Sequence, residues 1–279
     1  MDEKSDLVDA NCPVKCLNPT DGIAYDMKHK NRGKCVVFNH KTFDKQTKCK
    51  DRDGTDKDVQ NIITCFERLH FEVIVVNDGS LRDIRQTLFN IGTENHTNND
   101  CVVVIVLTHG NEHTLWARDT KYKAEILFPY LYCSSLIGKP KIFIIQACRG
   151  NNVDSGSKLK TLGNGSSSVD KRPVVYKPVY TIPTNADLLI YQSTSPGHYS
   201  FRNADSGSYF IQTLVSVLND YCYKSDHDLV TLFTIVNQRM AFDFESNSTD
   251  PRADKKKQIP CITSMLTRLV YFTPKSSKK

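Results

Sequence analysis

A cysteine and a histidine each follow shortly after an apolar segment of this 279-residue chain. The segment 141–145 (KIFII) leads into the pentapeptide 146–150 (QACRG), which contains Cys148, and a similar segment leads into His109, 39 residues upstream. A free thiol ionises near a pKa of about 8.5 and only the thiolate attacks a carbonyl carbon efficiently, so a neighbouring imidazole that takes the proton is the simplest activator. The pairing predicts a cysteine peptidase.

Both residues come just after strand-like runs, so the strands must bring them together. They meet if the two strands are parallel neighbours whose C-terminal ends share one edge, as in an open α/β sheet. Gly110 has no side chain, so its N–H can approach a substrate oxyanion closely, with the N–H of Cys148 as the second donor. The alternative is that Cys148 is an apolar core residue and His109 an ordinary loop residue.

Strand-like and helix-like segments alternate along the chain, which predicts an α/β fold with a mostly parallel central sheet flanked by helices. Thr55 and Ser80 each stand three residues before an Asp, the pattern that begins a helix, and Gly92 can end the second helix. Strands are predicted at 33–39, 71–76, 101–107, 141–145, 187–192 and 267–272, and the two later helices at 208–218 and 229–242.

The composition excludes several classes of function. The net charge of +6 is spread along the chain without an aromatic-interleaved basic stripe, which argues against nucleic-acid binding. No apolar run approaches the roughly 20 residues that cross a bilayer, so no membrane partner is expected. The N-terminus lacks the features of a signal peptide, so we expect a cytoplasmic protein whose ten cysteines are reduced. Cys12 and Cys16 lack a second ligand pair, so no metal site is predicted.

Two polar segments divide the chain. Residues 1–32 show no sustained period and are expected to form a short flexible tail. Residues 151–173 are rich in Ser, Gly, Asn and Lys, and are expected to form a flexible linker. The remainder, 33–273, fits one large domain.

The pentapeptide 146–150 resembles the signature of the caspases, whose histidine lies about 50 residues upstream of the cysteine. Five specified residues match by accident in roughly one window per million at average composition, so this signal outweighs the core alternative for Cys148. Further segments that resemble effector caspases are 51–56, 138–143, 199–203, 207–212 and 256–261. The resemblance implies a three-layer caspase-like sandwich and a peptidase that cleaves after Asp and needs no cofactor.

The resemblance also implies the substrate-binding residues. Arg52 and Arg202 match the caspase arginines that contact the substrate aspartate, with Gln146 as a third donor, and guanidinium groups match carboxylate oxygens two at a time. The other expected substrate-binding residues are Tyr199, Ser200, Phe201, Asn203 and Tyr209. Phe201 and Tyr209 stand where the family has Trp, and 244–249 is polar where the family generally has aromatic residues, which leaves the more distant pocket undetermined.

The dipeptide Val-Asp occurs three times, ending at Asp9, Asp154 and Asp170, and each instance falls in the expected tail or linker, where peptidases cut. We therefore expect a zymogen that carries its own processing sites. Cleavage would give a large subunit of about 10–154 and a small subunit of about 171–279, which the resemblance implies assemble as a homodimer of large and small pairs.

The short tail favours an executioner of apoptosis over an initiator. Expected partners are protein substrates with exposed Asp sites, an upstream initiator caspase and inhibitor-of-apoptosis proteins. Two alternatives stay open: a catalytically silent caspase-like regulator that pairs with an active caspase, and a related peptidase that cuts after Lys or Arg. The second would need an acidic pocket, which Arg52 and Arg202 oppose.

Overall fold

A six-stranded sheet forms the middle of the molecule in the computed structural model, which describes residues 22–156, 183–224 and 226–275. The strands of this sheet are β1 Lys34–Asn39, β2 Glu72–Asn77, β3 Val102–Leu107, β6 Lys141–Gln146, β7 Leu188–Gln192 and β10 Cys261–Ser264. They lie in the order β10-β7-β6-β3-β1-β2, all parallel except β10, which runs antiparallel to β7.

Helices cover both faces of the sheet, which explains why the central strands are apolar along their whole length. Every residue of β3 and of β6 is buried, as expected for parallel strands covered on both sides. The helices are α1 Thr55–Arg68, α2 Leu81–Thr93, α3 Tyr209–Tyr221 and α4 Leu229–Asp243, and a 3-10 segment spans Ala124–Leu131. One core lies between the sheet and α1, α3 and α4, and the other lies between the sheet, α2 and the 3-10 segment.

This three-layer arrangement confirms the predicted α/β fold class. Two short antiparallel pairs lie outside the main sheet, and both border the segments that carry candidate site residues. They are β4 Thr114–Trp116 with β5 Lys121–Lys123, and β8 Arg202–Asn203 with β9 Gly207–Ser208.

The predicted helix starts are half right. Ser80 and Asp83 form a complete capping box before α2. Thr55, by contrast, lies inside α1, and the N-cap is Gly54. The Thr55 hydroxyl donates to Asn39 Oδ1 at 2.6 Å instead, because this turn faces the end of β1 rather than solvent.

The prediction of a closing strand at 267–272 is wrong. The last strand is β10, Cys261–Ser264. Among the described residues after it, strand pairing is limited to one isolated bridge between Ala24 and Leu269. Val270 and Phe272 are nevertheless buried in the core beside α1 and α4. The apolar run 269–272 therefore indicated the burial of this segment and not its pairing.

The expected flexible tail does not extend to residue 32. Tyr25, Met27 and Arg32 are buried, and the Tyr25 hydroxyl donates to Asp187 Oδ1 at 2.7 Å. This anchoring rests on buried polar pairs, which a polar sequence without a sustained period did not reveal. Residues 1–21 lie outside the described residues.

The linker divides similarly. Residues 157–182 lie outside the described part of the chain, whereas 151–156 are bonded to neighbouring loops. The Tyr199 N–H donates to the Asn152 carbonyl at 2.9 Å, and the Lys257 N–H donates to the Asp154 carbonyl at 2.8 Å. The first residues of the predicted linker therefore follow a defined path.

A buried carboxylate should contribute strongly to stability. Asp100 is fully buried and its Oδ2 lies 2.9 Å from Arg32 Nη1 and 2.5 Å from Lys275 Nζ. Asp100→Asn leaves these cations without a charge partner, so we expect a loss of about 3–5 kcal/mol in the free energy of unfolding, measured with denaturant. Asp220→Asn, which removes a partly exposed partner of Arg239, should cost under about 1 kcal/mol. Similar losses in both variants would contradict this.

Candidate active site

The sheet brings the two chemical segments to one edge. β3 and β6 are parallel neighbours in a register that pairs Leu107 with Gln146, so His109 and Cys148 each follow two residues beyond the paired ends. A Cβ placed on Gly110 would lie 2.7 Å from the Cys148 carbonyl oxygen, which shows how closely the two loops approach. Both side chains line one cavity of about 270 Å³.

The His109 ring is held by a main-chain carbonyl. Its Nε2 lies 2.7 Å from the Lys50 oxygen, and since a carbonyl can only accept, Nε2 carries the proton and Nδ1 is the basic atom of the neutral ring. Phe43 packs against the ring with centroids 5.1 Å apart. Burial lowers the pKa of His109, against a smaller opposing effect of the Lys50 hydrogen bond, so the ring is neutral near physiological pH.

The Cys148 thiol is bordered by the backbone of Ser200. Its Sγ lies 3.5 Å from the Ser200 nitrogen and 3.6 Å from the Ser200 oxygen. Burial raises the pKa of Cys148, although the Ser200 N–H and the charges of Arg52 and Arg202 act in the opposite direction. At rest the cavity therefore contains a protonated thiol and a neutral imidazole.

The most unusual side chain in the cavity wall is Arg52. It is 1 % exposed, and its Nη1 donates to the His40 carbonyl at 2.7 Å and to Thr55 Oγ1 at 3.0 Å. Its Nε and Nη2 are buried without a partner among the described residues. Buried polar groups are nearly always bonded, so these two donors indicate a missing acceptor, and a carboxylate matches the geometry of a guanidinium fork.

Arg202 and Gln146 complete the polar wall of this cavity. Arg202 is half-buried, and its Nε donates to the Asp53 carbonyl at 2.8 Å. Gln146 is buried and uses an amide N–H on Ser200 Oγ at 3.0 Å. The predicted residues Arg52, Gln146 and Arg202 therefore lie around the same space as Cys148.

Tyr199 and Phe201 also line this cavity, together with the polar residues 246–248, and aromatic rings continue into a second cavity of about 270 Å³. Tyr199 packs edge-on against Phe201 at 5.3 Å, and Phe244 lies 5.5 Å from Phe201 and 5.0 Å from Tyr209. Asn203 lines the second cavity, and its Oδ1 accepts the N–H groups of two following residues in its own turn. The predicted Tyr209 and Asn203 thus border the second cavity and not the one that contains Cys148.

Three contributors escaped the sequence analysis. Lys50 acts through its carbonyl, which leaves no side-chain signal, and Phe43 looked like any apolar residue. Gln258 bridges the Ser193 oxygen at 2.7 Å and the Phe201 N–H at 2.8 Å, and so braces the cavity wall. Gln258 lies in the segment 256–261 that resembled caspases, which was the one signal that could have found it.

The three predicted processing sites differ in what the structure describes. Asp154 is exposed, and its Oδ1 accepts the Gly156 N–H at 2.8 Å. Asp9 and Asp170 lie outside the described residues.

Comparisons with known proteins agree with this geometry. The family model for the caspase domain matches residues 32–271. The chain belongs to the caspase family. It is therefore an aspartate-specific cysteine peptidase by class, and protein substrates and dimeric assembly follow at the level of the family.

Several known caspases are similar to this chain over most of its length. It is 44% identical to Caspase-1 of Drosophila melanogaster over 90% of this chain and 76% of that protein. It is 42% identical to Caspase drICE of Drosophila melanogaster, over 94% of this chain and 76% of that protein. The crystal structure of Caspase-1 from Spodoptera frugiperda matches with a TM-score of 0.83 and 39% identity, over 93% of this chain and 96% of that chain.

The resting protonation of Cys148 gives a testable pH dependence. Because burial raises its pKa, the thiolate fraction and the rate of alkylation by iodoacetamide should keep rising above pH 8.5. Peptide mapping by mass spectrometry follows Cys148 separately from the other thiols, and Cys148→Ser identifies its peptide. A rate that levels off below pH 7 would instead indicate a preformed thiolate and imidazolium pair.

Proposed function

We propose that Cys148 is the nucleophile and His109 the proton-transfer group of a peptidase whose pocket selects Asp through Arg52 and Arg202. The observation that carries the proposal is the pair of buried donors on Arg52 that have no partner within 22–156, 183–224 and 226–275 and that lie in the same cavity as the thiol. An acidic side chain that enters this cavity supplies the missing acceptors and the opposite charge.

The chemistry follows from the two resting protonation states. As Sγ of Cys148 bonds to the carbonyl carbon of the substrate Asp, the thiol proton passes to Nδ1 of His109. The carbonyl electrons move onto oxygen, which the N–H groups of Gly110 and Cys148 stabilise. The imidazolium gives its proton to the departing amine, and water, deprotonated by His109, hydrolyses the thioester and restores the thiol.

The Lys50 carbonyl supports both directions of this proton transfer. By holding the Nε2 proton, it keeps Nδ1 as the only basic atom of the ring, and it stabilises the imidazolium that forms when Cys148 loses its proton. Phe43 restricts the ring orientation from the side.

The chain acts as an executioner in apoptosis, an assignment supported by identities of 38% to 42% with caspase-3, caspase-7 and drICE over most of the chain. We infer that it is made as a zymogen, with a tail up to Asp9, a large subunit of about 10–154 and a small subunit of about 171–279. An initiator caspase would process it and inhibitor-of-apoptosis proteins would restrain it.

We place the protein in the cytoplasm. No helix in the described ranges has the length and apolarity to cross a membrane.

We propose that the dimer contact lies at the β10 edge of the sheet. β10 pairs with β7 on one side only, and within residues 22–156, 183–224 and 226–275 no strand lies on its other side. An unpaired edge strand of this kind can extend the sheet into a second copy of the chain.

Hydrolysis of short reporters tests the proposed specificity. The linker-cleaved protein should hydrolyse a reporter with Asp at the cleaved bond, and Cys148→Ala should reduce kcat/KM at least about 1000-fold because no nucleophile is left. Arg52→Gln should raise the KM for this reporter by about tenfold or more, since a buried charge pair is lost. The exposed Arg82→Gln on α2 provides a matched control without effect.

Two results would contradict this specificity. No turnover after linker cleavage would favour a silent regulator that acts by pairing with an active caspase. Faster hydrolysis of an Arg reporter than of the Asp reporter would show that the two arginines do not define the pocket.

Mass spectrometry of the activated material tests the processing sites. New N-termini at Ala10 and at Ser155 or Lys171 are expected, and Asp154→Ala together with Asp170→Ala should leave the chain intact across the linker. The matched exposed substitution Asp220→Ala should not change the fragments. Termini elsewhere would refute self-encoded processing without affecting the reporter result.

A further inference from the structure

The start of α1 and the hairpin β8–β9 approach each other unusually closely. A Cβ on Gly54, at φ +85°, would lie 2.3 Å from the Asn203 oxygen, and a Cβ on Gly207, at φ +89°, would lie 2.4 Å from Asp58 Oδ1. Both glycines have a backbone conformation that other residues rarely adopt, and both leave no room for a side chain. The two elements are therefore in direct backbone contact.

Asp58 makes the polar connection across this contact. It lies in the first turn of α1, is fully buried, and accepts the Ser208 N–H on Oδ1 at 2.8 Å. Ser208 pairs with Arg202 in the hairpin, so the position of Ser208 fixes the position of Arg202. Arg52 lies three residues before α1, on the other side of the same contact.

The charges around Asp58 fit this placement. Its Oδ2 is buried without a partner among the described residues, and its charged neighbours are Arg52, before α1, and Arg202, in the hairpin. Burial raises the pKa of Asp58 to about 6, although the Ser208 N–H and both arginines favour the carboxylate. The carboxylate therefore offsets part of the positive charge of two guanidinium groups that would otherwise repel each other.

We propose that Asp58 is a positioning residue of the acid-binding pocket, which holds the hairpin through Ser208 so that Arg202 stands opposite Arg52. The substrate carboxylate then meets both guanidinium groups at once. The inference rests on the proposed function of this pocket and adds a residue that touches neither the substrate nor Cys148. The Asp58–Ser208 bond also joins residues from the two sides of the linker, so the pocket needs both parts of the chain in register.

Substitution of Asp58 should affect substrate binding and spare the chemistry. In Asp58→Ala we expect the KM for the Asp reporter to rise about tenfold while kcat stays within about threefold. The reason is that Arg202 is released, whereas the dyad of Cys148 and His109 stays in place. Alkylation of Cys148 by iodoacetamide should match wild type, which shows that the dyad is intact. Asp228→Ala, which removes a carboxylate that accepts the Val230 N–H at the start of α4, is the matched control.

The pH dependence separates the carboxylate charge from the shape of the side chain. Above pH 6 the wild-type carboxylate is charged and its bond from the Ser208 N–H is charge-assisted, and below pH 6 it is protonated and the bond weakens. The wild-type KM should therefore rise severalfold as the pH falls from 7.5 to 5.5. Asp58→Asn has the same shape and no charge, so its KM should be raised at pH 7.5 and flat across this range.

Each outcome decides the inference. A wild-type KM for Asp58→Ala, or an Asn variant that keeps the wild-type inflection, would overturn it. Loss of Cys148 alkylation together with activity would also overturn it, because the effect would then extend beyond the arginines. If wild type itself fails to hydrolyse the Asp reporter, the proposed function fails instead, which keeps the two conclusions separate.

Discussion

The parallel pairing of β3 with β6 is the constraint on which the site depends. It is the register of this pair that carries His109 and Cys148 to the same edge, since each follows its strand end by two residues. A shift of one strand by one residue would exchange the two faces of that strand, and the packing of its two faces in separate cores opposes such a shift. The position of the thiol and the imidazole is therefore fixed by core packing, with little dependence on bonds between the two side chains.

The acid-binding pocket, in contrast, depends on the charges of buried arginine side chains, and not on apolar packing. Arg52 is almost completely buried, two of its donors have no partner in the part of the chain that the structure describes, and its neighbours include a second arginine. Such an arrangement is unfavourable in an empty pocket and becomes favourable when a carboxylate enters. The binding energy for an acidic side chain thus comes partly from relief of a cost that the fold already carries.

The sequence predicted those parts of the structure that depend on local pattern. The central strands, the capping box of α2 and the positions of α3 and α4 could be predicted because apolar spacing and capping residues determine them. The closing segment was misassigned because a short apolar run can be buried against helices as well as in a sheet, and the sequence does not distinguish the two. The resemblance of 146–150 to the caspases pointed to Cys148 and to His109 upstream of it, whereas the proposed roles of the Lys50 carbonyl and of Asp58 depend on contacts between distant segments.

The contacts of segment 24–32 bear on the proposed cleavage of the chain in its linker. Tyr25 bonds Asp187, Arg32 bonds the Thr273 carbonyl, and Lys275 bonds Asp100, so each contact joins residues from the two sides of the linker. β6 and β7, which also come from the two sides of the linker, form a continuous ladder in the centre of the sheet. If the linker is hydrolysed as proposed, these contacts still hold the two polypeptides together, and the two polypeptides should melt as one cooperative unit.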